Sequence, residues 1–564
     1  MSFFQTLGGI ARPEATARSV RHLRSAWSRA LGAAKRWLLP RPASVILEPY
    51  RRTANLTTYL KGALATLALG LFCLVYGFFF GLSAPYFLVA FLAPIALIAL
   101  LVIWALPDLR TAPTYGLELL FPTVLVTLLL WPDYVAVALP GLPWITLLRL
   151  VNFPLTGLLL VCLSVSTAFR AELAQTCRST RPLWICVGGF AAIQFVTLGI
   201  SHNIVGSAQA VVLTHVAYTT VLVVAALTLR NLRYVERFLG LLCVIAVPLC
   251  GIGIYEGARE HVLWAGHIPS FLRIEDPSVQ RMLSPSIRMY IDKYRVKATF
   301  RSPLAFAEYL SLLTPFLLHF AFTQRNWLIR ISAGAMVPLI FYVIRLTDAR
   351  LGVVGMLVSV LLYGLLYSLI RWRKHPHDLF ASAVVYAYPL MFCTAVGLIF
   401  ASHRLHSMVL GDGAQAGSSQ ARDAQLAMAL PKVWANPLGY GAGECGRAMG
   451  FGANDFVTID NYFIALILDH GVLGVLFWYG MFILAIFWSV KYSLSSKYAH
   501  RADAQWLAPS GVCLTAFLIV KWVHGQSDNH AVFFSLLGMV VAIVHRLKTS
   551  DEGPSTTLVP IAKR

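Results

Sequence analysis

The stretch TIDNYFIALILDHGVLGVLFWYGMF, Thr458 to Phe482, reads as a membrane-crossing segment with polar residues where a bilayer helix should have none. Asp460 and Asn461 stand at its mouth, and Asp469 and His470 interrupt it just ahead of Gly471. Its apolar length suits a bilayer core, which asks about 20 residues of a helix. An ionisable group at that depth is costly, however, and normally faces a cavity or a partner. The segment therefore poses a question about chemistry as well as about fold.

Working outward, the apolar signature recurs along nearly the whole chain. Of 564 residues, 58% are hydrophobic and 13% charged, and the mean hydropathy is +0.69. A soluble domain carries roughly a quarter charged residues. Fourteen candidate spans stand near 57–82, 84–106, 114–132, 147–168, 182–200, 209–229, 238–257, 304–323, 327–346, 351–370, 380–400, 461–489, 507–525 and 530–546. The pattern predicts an all-α polytopic integral membrane protein of about 12–14 transmembrane helices with two long outer-side loops.

The net charge of +21 suggests nucleic acid until its distribution is read. Arg and Lys cluster in alternate short connectors: Arg110; Arg170, Arg178 and Arg181; Arg230, Arg233 and Arg237; Arg325; Arg371, Arg373 and Lys374; Lys491, Lys497 and Arg501. The intervening connectors WPDYVAVALPGLP and SHNIVGSA carry none. This is the positive-inside pattern, so the partner is the lipid bilayer and not nucleic acid, and both termini are expected in the cytoplasm. Residues 1–56 form a basic segment, either an amphipathic helix on the inner leaflet or a solvated tail. They hold no short apolar core before a small-residue cleavage site, which argues against a cleaved signal peptide. The expected order is then helices over 57–257, an outer loop at 258–303, helices over 304–400, a larger outer loop at 401–460, helices over 461–546, and a cytoplasmic tail at 547–564. The nine cysteines are scattered with no CxxC pair, which reads as small buried hydrophobes and predicts no metal site and no cofactor.

Five stretches on the expected outer side carry ionisable residues. RVKATFRSPLAFAEYL holds Arg295, Lys297, Arg301 and Glu308; IRLTDARLGVVGM holds Asp348 and Arg350. SSQARDAQLAMALPKVWANPLGYGAGECG holds Arg422, Asp423 and Glu444, and its LPKVWANP reads as a short helix ended by proline. The opening stretch is the fourth, and VKWVHGQSDNH, with Lys521, His524 and Asp528, is the fifth. Converging arginines suit a phosphate or pyrophosphate, because the guanidinium fork grips oxyanions and stays charged. A partly desolvated carboxylate beside them can accept a proton from a hydroxyl. Each stretch also has a plainer reading. Arg350 can snorkel from a span end. Glu308 can pair with a nearby arginine. Lys521 and His524, a turn apart, can make a polar contact between helices. Asp469 and His470 can end a re-entrant or tilted segment before Gly471. GYGAGECG is either a flexible turn or a nest of backbone N–H groups for a phosphate.

Taken in order, these stretches resemble the O-antigen ligase and Wzy-type polysaccharide polymerase superfamily of bacterial membrane glycosyltransferases. The family's R..GTF.NP...A.YL is echoed by Arg295, Thr299, Phe300, Pro303, Ala307, Tyr309 and Leu310, with Ala298 in place of the usual glycine. Its SRG is matched by Ala349, Arg350 and a displaced Gly352. Its arginine followed by NPL.G.G.G is matched by Arg422, Asn436, Pro437, Leu438, Gly439, Gly441 and Gly443, and its final HN with G..G by Asn461, Gly471 and Gly474. Asp460 stands where the ligases carry a histidine, and an Asp-Asn pair is common there among polymerase-like members.

The resemblance implies a metal-independent, inverting glycosyl transfer at the outer face of the bacterial inner membrane. Donor and acceptor would be glycans on undecaprenyl pyrophosphate, with polysaccharide export or chain-length machinery as further partners. Arg350, Arg422, Arg301 and Arg295 would bind the donor pyrophosphate, and Asp460 would act as base with Asn461, Glu444 in reserve. Asp348, His470, Lys521 and His524 form a secondary set. Three functions compete: a polymerase, favoured by Asp460; a ligase moving finished glycan to a lipid or protein; and a flippase. A flippase should show two related halves, and no internal repeat is visible.

Overall fold

The computed structural model describes residues 56–109, 111–138, 144–288, 293–402, 406, 416–451, 459–498 and 500–550. The basic segment up to residue 55 and the tail beyond 550 lie outside the described residues, and so do the expectations for them.

The apolar runs become helices, and eleven of them, among the described residues, are long and apolar enough to cross a membrane. In chain order the helices are α1 Leu56–Trp104, α2 Thr114–Leu130, α3 Leu147–Val165, α4 Thr167–Ser179, α5 Arg181–Leu198, α6 Ile204–Thr228 and α7 Leu232–Arg259. They continue as α8 Pro277–Leu283, α9 Pro303–Thr323, α10 Trp327–Thr347, α11 Arg350–Lys374 and α12 Leu379–Ala401. The last are α13 Ala416–Ala435, α14 Cys445–Ala448, α15 Tyr462–Leu494, α16 Leu507–Lys521 and α17 His530–Thr549. The remaining expected spans differ in form. The run at 114–132 is a 17-residue helix, α2. Those at 57–82 and 84–106 are one 49-residue helix, α1. Only Ser83 separates the two, within GLSAPYF at 81–87, and Pro85 alone can be absorbed without stopping a helix.

Local chemistry sets the starts that matter. Ser302 accepts a hydrogen bond from the Ala305 N–H at 3.2 Å and Pro303 opens α9, a combination that satisfies one orphan donor and fixes φ. Asn461 caps α15 through the Phe463 N–H at 2.8 Å. At the bundle centre α9, α16 and α17 are buried along most of their length. Around them α9 packs on α10 and α11, α15 on α5 and α16, and α17 on α6. Gly352 permits the α11–α9 crossing: a Cβ there would meet the Ala307 Cβ at 2.8 Å, so only glycine allows that approach.

The described residues of the two long connectors form helices and a hairpin. In 258–303, α8 is capped by Asp276 and followed by the hairpin β3 (Ile287–Arg288) and β4 (Lys293–Tyr294). It buries Ile274 and Val279 against Tyr134, Val135 and Ala136 beside the hairpin β1 (Ala136–Val137) and β2 (Ile145–Thr146), a small second core beside the bundle. Glu256 at the end of α7 ties this layer down, accepting from the Tyr294 hydroxyl and the Ala298 N–H, each at 2.7 Å. In the second connector the short helix expected around LPKVWANP is the 20-residue α13, which absorbs Pro431 and ends before Asn436–Pro437.

Candidate functional site

The mouth of α15 is fastened to α13 by one side chain. Gln425, buried, accepts the Asp460 N–H at 3.1 Å. Arg422 precedes Gln425 by one helical turn and is half-buried, and its Nε is buried with no hydrogen-bond partner among the described residues. A third strand of chain closes on the same point: a Cβ on Gly525 would lie 1.9 Å from the Ile459 carbonyl oxygen. Asp460 itself is half-buried. The Asn461 side-chain oxygen is engaged as the helix cap. Glu444 is buried and paired with Arg447 three residues on.

The glycine run docks on the break in α15. Gly471 adopts φ 65°, ψ −170°, and the helix resumes beyond it. The exposed amide and carbonyl groups pair with the loop: Tyr440 N–H to the Leu468 carbonyl at 2.8 Å, Gly441 N–H to the Asp469 carbonyl at 2.9 Å, and Val472 N–H to the Pro437 carbonyl at 3.0 Å. The Asp469 carboxylate accepts the Gly443 N–H at 3.1 Å and the Cys445 N–H at 2.7 Å. The nest in GYGAGECG thus holds a carboxylate of its own chain. Ser207 adds a bond to the Ala442 carbonyl at 2.8 Å, and His470 turns away toward α5, 3.4 Å from the Thr197 hydroxyl and edge-on to Phe190.

A buried ion pair joins the end of α16 to α9. Lys521 Nζ sits 3.0 Å from Glu308 Oε1, both side chains fully inaccessible. Asn529 donates to Glu308 Oε2 at 2.8 Å, and His524 Nε2 is 3.7 Å from the same oxygen. Burial, then the Lys521 ammonium, hold His524 well below its ordinary value, so it is neutral there. Lys521 also donates to the Gln526 carbonyl at 2.5 Å, and Ser302 to the Gln526 side chain at 2.7 Å. The partner of Glu308 is thus a lysine, and the 524–529 turn is held against α9.

Beside that turn lies a cavity of about 250 Å³, lined among others by Asp133, Trp144, Arg149, Asn152, Tyr218, Arg301 and Asp528. Arg301 grips Asp133 with one edge of its guanidinium, its Nε 2.9 Å from Oδ1. Arg149 donates to the Trp144 carbonyl at 2.5 Å. Burial pushes the Asp528 carboxyl up to about 6, against the pull of Arg301. The remaining sequence candidates are not among the residues that line this cavity. Arg295 Nε donates to the Thr347 carbonyl at 3.1 Å, and Lys293 Nζ is 3.3 Å from Asp348 Oδ1. Asp348 ends α10 in the left-handed region, and half-buried Arg350 opens α11, where Ala349, Leu351, Ala307 and Val520 share a small core.

The contacts therefore run from Arg422's helix through Gln425 to Asp460, from the neighbouring Ile459 backbone to Gly525 beside His524, and from Gln526 to Ser302 beside Arg301. Sequence reasoning missed Asp133, Arg149 and Asn152. The one available signal was Arg149, an arginine beside otherwise Arg-free connectors. Among the described residues, no group of three or more His, Cys, Asp or Glu side chains is placed to hold a metal ion.

A search of curated proteins returned no match. Residues 334–479, which run from α10 through α13 to the middle of α15, match the family model described as O-antigen ligase, and this match supports the O-antigen ligase/Wzy superfamily.

Proposed function

We propose that the protein is a polysaccharide polymerase, joining undecaprenyl-pyrophosphate-linked glycan units at the periplasmic face of the bacterial inner membrane. The family supports the coarser statement, a membrane glycosyl-transfer enzyme. One observation carries the assignment of roles: Gln425 links the Asp460 backbone to the helix of Arg422, whose buried Nε has no hydrogen-bond partner among the described residues. That contact ties the backbone of the proposed base to the helix that carries a guanidinium with capacity for an oxyanion.

In this reading the acceptor hydroxyl oxygen attacks the anomeric carbon of the donor. The bond from that carbon to the pyrophosphate oxygen breaks, undecaprenyl pyrophosphate leaves with the electron pair, and the configuration inverts. Asp460 receives the hydroxyl proton. Arg422 and Arg350 stabilise charge on the leaving group. Arg301 and Arg295 are already engaged by Asp133 and the Thr347 carbonyl, and Asn461 and Glu444 support backbone and loop.

The test is deletion of the gene, with mass profiling of surface polysaccharide and of lipid-linked glycans. Loss of long polymer with single repeats left on the lipid supports a polymerase. Long chains stranded on undecaprenyl pyrophosphate mean a ligase, the reading favoured by the family description itself. Polymer indistinguishable from wild type in Arg350→Lys or Asp460→Asn removes those residues from the mechanism, since a point charge does not replace a bidentate fork.

A further inference from the structure

The cavity beside Arg301 is built unlike a phosphate site. It carries two guanidinium groups, Arg149 and Arg301, and two carboxylates, Asp133 and Asp528, so its formal charges cancel. A pyrophosphate dianion gains little from a neutral pocket. The unused hydrogen-bonding capacity points the same way. Asn152 is 3% exposed, and its side-chain carbonyl oxygen has no partner among the described residues. One carboxylate oxygen of Asp528 is buried and equally unpartnered. Both orphaned atoms are acceptors. A buried acceptor left unmade costs on the order of 1–3 kcal/mol, and such groups in a folded protein ask for a reason.

The walls are aromatic and the shape is local. Trp144, Tyr218 and Phe153 line the cavity together with Ala217. Residues His215–Thr219 of α6 form a π-helical turn, an insertion found mostly at functional positions. Thr214, Val216, Ala217 and Tyr218 in and beside that turn face the cavity. Asn152 lies five residues into α3, about 8 Å along its axis from the mouth.

We infer that this cavity is a subsite for one neutral, hydroxyl-rich sugar ring of the glycan, with Asn152 and Asp528 accepting hydrogen bonds from its hydroxyls between the aromatic walls. The inference rests on the proposed glycosyl transfer and adds where the glycan, as distinct from its pyrophosphate, is read. The sugar donates hydrogen to both orphaned acceptors, while its apolar C–H face covers Trp144 or Tyr218. An acidic sugar would set its carboxylate beside Asp133 and Asp528 and is disfavoured.

The test uses the purified full-length protein in detergent and saturation-transfer NMR with free neutral hexoses, N-acetylhexosamines, uronic acids and inorganic pyrophosphate. Neutral sugars should bind. Asn152→Leu should weaken them about tenfold, the size of one hydrogen bond, without loss of thermal stability, because it removes an orphaned acceptor. Ala217→Phe, which fills the cavity, should abolish binding, and Arg422→Ala should leave it unchanged. Sugar binding unaltered by Asn152→Leu and Ala217→Phe, binding of pyrophosphate in their place, or binding of no sugar overturns the inference. These readouts need no turnover. Failure of the polymerase reading shows instead in the lipid-linked glycan profile of the deletion strain.

Discussion

Replacing Lys521 by methionine should be among the most destabilising single changes in the molecule. Lys521 and Glu308 are both inaccessible to solvent and 3.0 Å apart. Methionine keeps most of the volume and removes the charge, leaving a carboxylate on α9 with only the Asn529 amide at 2.8 Å and a neutral His524 at 3.7 Å. Removing one member of a buried pair costs about 3–5 kcal/mol, because the other charge stays without compensation. The lower half of that range applies, since Asn529 still donates. The lost donor to the Gln526 carbonyl adds about 1 kcal/mol. Glu308→Gln with Lys521→Met removes both charges and should recover most of the loss, giving a coupling of about 2 kcal/mol or more. The assay is a heat-and-chromatograph melt of a fluorescent fusion in detergent for wild type, both single variants and the double. A Lys521→Met protein that melts with wild type, or a double variant as weak as the sum of the singles, refutes the idea that this pair holds the 524–529 turn against α9.

Three further outcomes are expected. Gly471→Ala should free the 437–445 loop, since a Cβ there would sit 2.2 Å from the Pro437 carbonyl at φ 65°; limited proteolysis should then cut between Asn436 and Met449, and no new cleavage there counts against the docking. Ala298 stands at φ 48°, so Ala298→Gly should change the melting temperature little, whereas Ala298→Val, β-branched in the left-handed region, should lower it clearly. Asp528 has its folded value raised from 3.8 to about 6 by burial, with Arg301 and Lys521 lowering it and Asp133 and Glu308 raising it. The fold therefore favours its protonated form: that contribution is complete below about 4 and is lost as pH rises through about 6. Asp528→Asn should flatten the fall in melting temperature across that window, and an unchanged slope removes Asp528 as its source.

Charge alternation and apolar length located the helices because both are local properties of the chain. Where the structure departs, a non-local term decides. The first two expected spans, 57–82 and 84–106, are one continuous helix, and apolar length alone does not distinguish two short spans from one long helix. Asp133, Arg149 and Asn152 were illegible because what marks them is a cavity shared with Tyr218, Arg301 and Asp528, up to 395 residues further along the chain. Asp469 was read as a helix end, and that is half of its role. The break at Gly471 was visible in the sequence. The loop that the Asp469 carboxylate holds was visible only as a separate glycine run.

That pairing bears on how the family's motifs work. Gly439 and Gly471 press backbone on backbone: a Cβ on the first would lie 2.6 Å from the Asp469 carbonyl oxygen, and one on the second 2.2 Å from the Pro437 carbonyl oxygen. Neither position tolerates a side chain while the other is in place, so two glycines far apart in sequence form one joint. The joint anchors the C-terminal end of α13, and Gln425 anchors its middle to Asp460. With two fixed points, the azimuth of α13 is set, and with it the direction of Arg422. Two glycines outside α13 thereby set where its arginine points. A substitution at Gly439 should then reduce activity through the position of Arg422, and activity and loop protection from protease should be lost together.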